Sequence, residues 1–349
     1  MVPSFANAGT EAEEAKEKAE AQERSEFIEH HLLDAHSFHI VGNVGFPLPV
    51  ILWDGELHMF MSSAFNNYKH EEDSVAASNG KFFKVYHGKV YSTDAAGTIT
   101  IDPETKHPIQ SEVYDMSITK NVLVVILIGV LMLWMFIGMA KSYQNSLVPS
   151  GAAKFLEPLV LYVRDEIAIP NIGEKHYQKY MGYLLSVFFF VWIINLVGLT
   201  PLGINVTGNI AITASLALMT LFITLYTSNK NYWAHIFWMP GVPAPMKVIL
   251  APIELLGVII KPFALLIRLY ANIKAGHIVL MSIIAVMYTF ENWGAKGAFL
   301  FLDFFLSSIE LLVAFLQAYI FTMLSALYFG AACEEHHHEE HHEGAVAHH

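Results

Sequence analysis

Four polar side chains interrupt the apolar segment LLIRLYANIKAGH at residues 265–277: Arg268, Asn272, Lys274 and His277. An arginine at bilayer depth costs about 2.5–3.5 kcal/mol on insertion scales, and ionisable residues there mark functional sites by default. Because arginine stays charged at every physiological pH, Arg268 cannot relay a proton. It can attract a carboxylate or block a path. The segment therefore predicts an electrostatic function within an apolar medium.

The polar residues around this segment form a stripe along one helix. At 100° per residue, three of them lie within about 40° of Arg268, whereas His277 lies on the opposite face. The three are Glu254, Lys261 and Asn272. The simplest explanation of a buried arginine is an ion pair within its own chain, with Glu254 or Glu310. We favour an acidic partner on another subunit, because a buried internal pair often fails to recover its desolvation cost.

A second stripe lies on the next helical pattern, where Asp303, Glu310 and Gln317 recur every seven residues. Burial raises the pKa of a carboxylic acid and lowers the pKa of a histidine. The two values thereby come closer together, so that protons exchange readily between such groups. We therefore predict that His277 and Glu310 are the pair that exchanges protons. A histidine alone would more often be a hydrogen-bonded packing residue, and only its polar neighbours favour the functional reading.

Composition places both stripes in a membrane. Hydrophobic residues make up 54% of the 349 positions and charged residues only 15%, which is too apolar for a soluble protein of this length. Apolar runs of about 20 residues predict membrane-spanning helices. Three such runs occupy residues 121–140, 181–199 and 210–226. The predicted fold class is an all-α polytopic membrane protein with upright transmembrane helices.

Two longer apolar patterns follow, at residues 245–290 and 297–329. As helices they would be roughly 67 and 50 Å long, against a hydrocarbon core of about 30 Å. Since no charged linker divides them into 20-residue spans, we predict one strongly tilted intramembrane hairpin at about 245–330, rather than several short spans. Glycines mark its turn and prolines bend its first arm: Gly294 and Gly297, and Pro252 and Pro262.

Basic residues predict the orientation. The loop of about 38 residues after the first span contains Lys141, Lys154, Arg164, Lys175 and Lys179, and Lys230 follows the third span. The link at residues 200–209 contains no Lys or Arg. Because basic loops favour the cytoplasmic side, we expect a periplasmic N-terminal domain and a cytoplasmic C-terminus.

The two ends of the chain differ in character from the membrane domain at 119–332. Residues 1–118 predict a small extramembrane domain, with a solvated helix at 10–31 and short strands at 81–102 around Gly88 and Gly97. Residues 6–8 resemble the end of a signal-peptide cleavage site, which predicts a signal peptide upstream of them. The alternative is that these residues are a plain flexible terminus. The His-rich tail at 333–349 predicts a solvated end, with Zn²⁺ or Ni²⁺ binding as the alternative.

Two segments carry a specific resemblance. KPFALLIRLYANIKAGHIVL at 261–280 and IELLVAFLQAYIFTMLSALYFGAACEEH at 309–336 resemble subunit a of F-type ATP synthase, the membrane stator that faces the rotating c-ring. NLVGLTPLGINVTGNIAITASLAL at 195–218 is similar to the same family. The resemblance covers about 120–335, and its R-L-x-x-N-x-x-A-G element is highly specific when paired with L-Q-A-[YF]-[IV]-F.

The resemblance implies a role for each residue of the first stripe. Arg268 matches the family's essential arginine, which faces the ring carboxylates and separates two aqueous half-channels. Asn272 matches the asparagine one turn later, and Gln317 the glutamine packed near the arginine. Glu254 matches an acidic position linked to the cytoplasmic half-channel. These assignments are implied by the family likeness and not by spacing.

The proton-entry pair departs from the common bacterial pattern. His277 stands where many bacterial members have glutamate, and Glu310 where they have histidine, as in mitochondrial members. If the two side chains face each other, the exchange preserves the pair, so we keep the proton-entry role for both. Asp303 has no firm counterpart in the family, and a place in the proton path is only a hypothesis for it.

The implied partners are the c-ring, the subunit b peripheral stalk, the remaining ATP synthase subunits and the lipid bilayer of a bacterial inner membrane. We expect no cofactor, no metal, no nucleic acid and no catalytic site of its own, since no Gly-rich phosphate loop is present. Protons are favoured over Na⁺ because no added Na⁺-ligand signature is seen. The alternatives are a proton-coupled secondary transporter, and a membrane-anchored sensor or binding protein that acts through residues 1–118.

Overall fold

The computed structural model describes residues 34–41, 44–65, 74–103, 107–145, 151–200, 206–238, 243–289 and 292–333. The helix predicted at 10–31 and the tail beyond 333 lie outside the described residues. Two separate hydrophobic cores occur in the described part. One is formed by strands between residues 50 and 113, and the other by helices between residues 124 and 333.

The N-terminal part is built from short antiparallel strands. Strand β1 (Ser37–Val41) pairs with β2 (Val44–Pro47), and β3 (Pro49–Trp53) lies between β4 (Leu57–Met61) and β8 (Tyr114–Asp115). A third sheet has the order β5 (Val75–Ser78), β6 (Lys81–Tyr86) and β7 (Lys89–Thr93). Burial alternates along β3 and β6, as expected when one sheet face packs on a core.

The strands predicted around Gly88 are confirmed. Tyr86 pairs with Lys89 across a two-residue turn in which His87 and Gly88 have φ of 48° and 74°. Positive φ at both central positions is the type I′ geometry that matches the twist of a hairpin. Gly97 lies in a separate turn with φ of 70°.

The N-terminal sheet continues directly into the first membrane helix. The backbone N–H groups of Met116 and Ile118 donate to the carbonyls of Ile51 and Pro49, so strand pairing extends to within two residues of the helix. The Lys120 N–H then donates to the Ala35 carbonyl at 2.9 Å. No flexible linker separates the sheet from the helix.

The remaining elements are helices, and among the described residues five of them are long and apolar enough to cross a membrane. Those five are α1 (Lys120–Asn145), α4 (Tyr177–Gly198), α5 (Ile210–Thr227), α7 (Ala244–Thr289) and α8 (Trp293–Cys333). The predicted polytopic helical class is confirmed, together with all three shorter spans. A further short helix, α6 (Lys230–Phe237), connects α5 to α7.

The segment between the first two spans is more regular than predicted. Instead of an irregular loop, it contains α2 (Ala152–Tyr162), a π-helical stretch (Val163–Ala168) and α3 (Ile169–Ile172). One face of this segment is buried, including Leu156, Val163, Ile167 and Ile172. Burying that face against the bundle stabilises helical structure where the charge content alone favours a loop.

The two long apolar patterns form two single helices, α7 and α8, which pack against each other as the predicted hairpin. The predicted position of the turn was wrong. Gly294 and Gly297 lie inside the first turns of α8 and do not bracket the connection. The side chain of Asn292 accepts a hydrogen bond from the Gly294 N–H at 2.9 Å, so a helix-capping residue marks the start of the arm.

One end of the helical bundle is tightly joined. The carboxyl end of α8 meets the start of α4, where the rings of Tyr180 and Phe329 stack at 4.6 Å and the Tyr180 hydroxyl lies 2.9 Å from Cys333 Sγ. Asn229 contributes a backbone N–H bond to Ala332 and a side-chain bond to the Cys333 carbonyl. These contacts hold the ends of α4, α5 and α8 together.

We predict that replacement of Asp115 by asparagine weakens the acid sensitivity of the N-terminal domain. Burial alone would raise the pKa of Asp115, but hydrogen bonds from His36 and Ser117 and the charge of His36 outweigh it, and the pKa lies below its ordinary value. A lowered pKa contributes stability that is present above the ordinary value and is lost as the pH falls through the folded one.

The measurement is hydrogen exchange of β3 in the full chain from about pH 6 to pH 3, corrected for intrinsic rates. Protection of β3 should fall with pH in the wild type, and less steeply in Asp115→Asn. Glu56→Gln, in the exposed turn after β3, serves as the control and should behave as the wild type. Equal slopes in all three proteins would refute the coupling.

Replacement of Gly330 by alanine should destabilise the joined end of the bundle. An added Cβ would collide with the backbone carbonyl of Asn171, which cannot move as a flexible side chain does. Overpacking of this kind costs about 1–3 kcal/mol. The thermal midpoint of the purified complex should fall for Gly330→Ala and stay unchanged for Gly297→Ala, since position 297 of the same helix is open. An unchanged midpoint in Gly330→Ala would contradict the packing.

Candidate functional site

The first arm of the hairpin buries an apolar stripe in the bundle. Leu265, Leu269 and Ile273, spaced four residues apart, are all 5% exposed or less. This spacing keeps one helix face against the rest of the protein. The neighbouring face is thereby turned outward, and it includes Arg268.

Arg268 is exposed on an apolar surface. Ile260, Phe263 and Ile267 of the same arm are about half exposed or more, with values of 51%, 59% and 46%. The second arm adds further exposed apolar side chains, including Phe304 at 71% and Leu312 at 66%. A permanent cation thus lies on a surface that otherwise suits lipid or an apolar partner.

The ion pair within the chain is not formed. Among the residues that the structure describes, no carboxylate lies within ion-pairing distance of Arg268, and both Glu254 and Glu310 belong to that described part. Glu310 instead points towards a different part of the first arm. The positive charge of Arg268 is therefore available to a carboxylate from outside the chain.

An amide bridge joins the two arms one turn beyond Arg268. Nδ2 of Asn272 donates to Oε1 of Gln317 at 3.1 Å, and Gln317 is only 2% exposed. A buried amide without a partner would be costly, so this bond fixes the register of one arm against the other. The sequence predicted both residues for the site, and the structure brings them together.

Glu310 lies in a notch of the first arm. A Cβ added at Gly276 would lie 2.5 Å from Oε1 of Glu310, so a larger residue here would force this carboxylate, which is 8% exposed, to move from its place. His277 follows Gly276 in α7, although its side chain lies outside the described part. Gly276 is a contact residue of the candidate site that residue chemistry did not predict, and the A-G step of the R-L-x-x-N-x-x-A-G element is its signal.

The other predicted residues occupy separate places. Glu254 and Lys261 line a cavity of about 120 Å³ between α6, α7 and the end of α8. Asp303 is half-buried on α8, one stripe position before Glu310 and within its electrostatic influence. Lys274 is exposed and donates to the Tyr270 hydroxyl of its own arm at 2.9 Å.

The geometry supports a division of the first arm into three zones. Glu254 lies before Arg268 along α7 and Gly276 lies after it, at about 21 Å and 12 Å by helical rise. Arg268 thus lies between two regions of the described hairpin that contain acidic groups, and Lys261 and Lys274 are further cations before and after it along α7. Such an arrangement can hold protons on either side and oppose their direct passage between the sides.

Comparison with known proteins agrees with the motifs. The family model of the ATP synthase A chain matches residues 122–330, more than half of the chain. Residues 27–116 match a family described as a domain of unknown function (DUF8433).

Several curated relatives are named ATP synthase subunit a. That of Chlorobium phaeobacteroides (strain BS1) is 39% identical over 67% of this chain and 72% of its own length. That of Anaeromyxobacter dehalogenans (strain 2CP-C) is 42% identical over 62% of this chain, and the match spans only 58% of that relative. That of Chloroherpeton thalassium (strain ATCC 35110 / GB-78) is 37% identical over 63% of this chain and 67% of its own length.

These matches cover all three upright spans and the hairpin with Arg268, Asn272, Glu310 and Gln317. The chain therefore belongs to the ATP synthase A chain family, that of the F-type ATP synthase stator subunit a, whose members are components of the rotary complex and not its catalytic subunit.

Proposed function

We propose that this chain provides two proton half-channels at an interface with the c-ring and couples proton flow to ring rotation. The observation that carries the proposal is Arg268, a cation on an exposed apolar face, with no carboxylate in ion-pairing distance among the described residues. A carboxylate presented by a turning ring is the partner that such a side chain suits. The family membership supports the same role.

Protons enter from the outer side past His277 and Glu310. The notch at Gly276 keeps the Glu310 carboxylate between the arms and beside the backbone of His277. From there a proton neutralises a ring carboxylate, which can then turn into lipid without the cost of a buried charge. Each charge moved through the full potential contributes about 2.3 kcal/mol per 100 mV.

Protons leave on the side of Glu254. After nearly a full rotation, a ring carboxylate reaches the other side of Arg268, whose positive charge favours its ionised form and so releases the proton. The cavity lined by Glu254 and Lys261 offers a polar route from that point. Arg268 opposes a direct leak, because a proton would have to pass a fixed cation in a medium of low dielectric. Asp303 remains a proposed member of the path on the entry side.

The proposal includes the position of the chain in the cell. The relatives' name implies assembly with other ATP synthase subunits, and we extend this to the c-ring and the subunit b stalk in a bacterial inner membrane. Residues 1–118 would be periplasmic, 119–332 would form the membrane domain, and 333–349 would be cytoplasmic. The secondary transporter, which would need two similar halves, is not favoured by the family match.

Replacement of Arg268 by alanine or lysine should abolish coupled proton translocation while the complex still assembles. Alanine removes the barrier charge, and lysine lacks the planar fork that engages a carboxylate through two bonds. ATP-driven acidification of inverted membrane vesicles should fall below about a tenth of wild type, equivalent to more than ~1.4 kcal/mol. Lys274→Ala, six residues along and exposed, should pump normally. Unchanged proton pumping in both Arg268 variants would refute the proposed mechanism.

His277→Ala and Glu310→Ala should each slow proton uptake from the outer side. Because the two residues are expected to share one proton path, the double variant should lose little more than the worse single one. The measurement is ATP synthesis driven by a pH step applied to reconstituted vesicles. Ser308→Ala is the control, since within the described part of the chain that hydroxyl bonds only the Phe304 carbonyl of its own helix. Two silent single variants would place the entry path elsewhere.

A further inference from the structure

The cavity that contains Glu254 has a second wall that the sequence motifs do not include. Its lining is completed by α6, through Asn231, Tyr232, His235 and Ile236. Helix α6 packs on α7 and on the end of α8, and so closes the cavity from the side opposite Glu254 and Lys261. His235 is thereby placed in the same small space as the acidic residue of the proposed exit route.

The cavity is large enough for a chain of waters. About 120 Å³ is open to water centres, and one water needs about 10–15 Å³ measured in this way. Polar groups of α6 and α7 provide the partners that ordered waters require. Protons can therefore pass between the lining groups without direct contact between the side chains.

The charges that face His235 can be named for each neighbouring element. Glu254 and Lys261 come from α7, Tyr328 of α8 lies 5.9 Å from the Lys261 ammonium, and Tyr232 belongs to α6 itself. Burial, followed by the negative charge of Glu254, raises the pKa of Tyr232, so this phenol stays neutral at physiological pH. The cavity then contains one acidic side chain, Glu254, and the ammonium group of Lys261, whose opposite charges offset each other.

Histidine is the side chain whose charge ordinarily changes between pH 5 and 8. Among the residues that line the cavity, His235 alone is of this type. A proton that leaves Glu254 enters a confined space in which Lys261 disfavours further positive charge. An imidazole at the wall accepts that proton and passes it to bulk water, and it reverses the transfer when the rotor runs backwards.

We propose that His235 is the proton-exchanging group at the mouth of the Glu254 half-channel, and that it transfers protons between the cavity waters and the cytoplasm. This inference rests on the proposed function, since it assumes that protons pass Glu254. It assigns His235 a role in transfer rate and not in the coupling that Arg268 provides.

The test uses ATP-driven acidification of inverted vesicles that contain the whole complex, with the cytoplasmic face outward. His235→Ala should lower the initial rate by roughly threefold or more near pH 7, where an imidazole exchanges protons best. The rate of the variant should also vary less between about pH 6 and 8 than that of the wild type. Added imidazole should restore the rate, because it can occupy the vacated space.

His176→Ala is the matched control. This histidine lies at the same end of the bundle but lines a different cavity, which Glu254 does not line. Its variant should keep the wild-type rate and pH profile and should not respond to imidazole. His235→Gln retains a polar side chain of similar size and should be as slow as His235→Ala, which separates proton exchange from packing.

The outcomes distinguish this inference from the proposed function. If the wild-type complex pumps and His235→Ala matches His176→Ala in rate and pH profile, the role of His235 is refuted and the half-channels stand. If His235→Gln pumps normally or imidazole restores nothing, His235 is only structural. If Arg268→Ala and Arg268→Lys both pump as the wild type does, the proposed function itself fails.

Discussion

The arrangement of the hairpin depends on the charge of Arg268, which no carboxylate among the described residues neutralises. A guanidinium on an apolar surface is unfavourable in lipid, and it becomes favourable only when an acid lies opposite. The fold maintains this situation by burying the leucine stripe of the same helix, so Arg268 cannot turn inward without exposing Leu265 and Leu269. Two acids of the described hairpin are meanwhile held elsewhere, Glu310 in the glycine notch and Glu254 at the α6 cavity.

Polar contacts between the two arms of the hairpin fix the register of one helix against the other. The Asn272–Gln317 bond and the Glu310–Gly276 contact lie four residues apart on α7 and seven apart on α8. A slip of either arm by one residue would break both at once and leave buried polar groups without partners, at about 1–3 kcal/mol each. The two contacts therefore position the acid relative to Arg268 more firmly than apolar packing alone would do.

Much of this fold could be predicted from the sequence, because long apolar runs and seven-residue stripes each have one direct physical meaning. The stripe of Glu310 and Gln317 was predicted from spacing, and the family resemblance placed Gln317 near Arg268, but the bond of Gln317 with Asn272 was not predicted. The helical segment after α1 was not predicted, since its stability comes from tertiary burial of residues such as Ile167 and not from local pattern. The turn was misplaced because Gly294 and Gly297 are typical of loops, while the capping role of Asn292 decided where α8 begins. His235 was missed because the cavity residues that other helices bring beside it, from Glu254 to Ala331, are 19 to 96 residues away along the chain.

The connection between the N-terminal sheet and α1 has a mechanical consequence. Backbone hydrogen bonds of Met116, Ile118 and Lys120 tie the end of the strand to the start of the helix, so the sheet and the helix are mechanically connected. A sideways push on the sheet is therefore delivered to α1 as a bending moment. With the sheet outside the bilayer, as proposed above, these hydrogen bonds would brace α1 from that side against a sideways load.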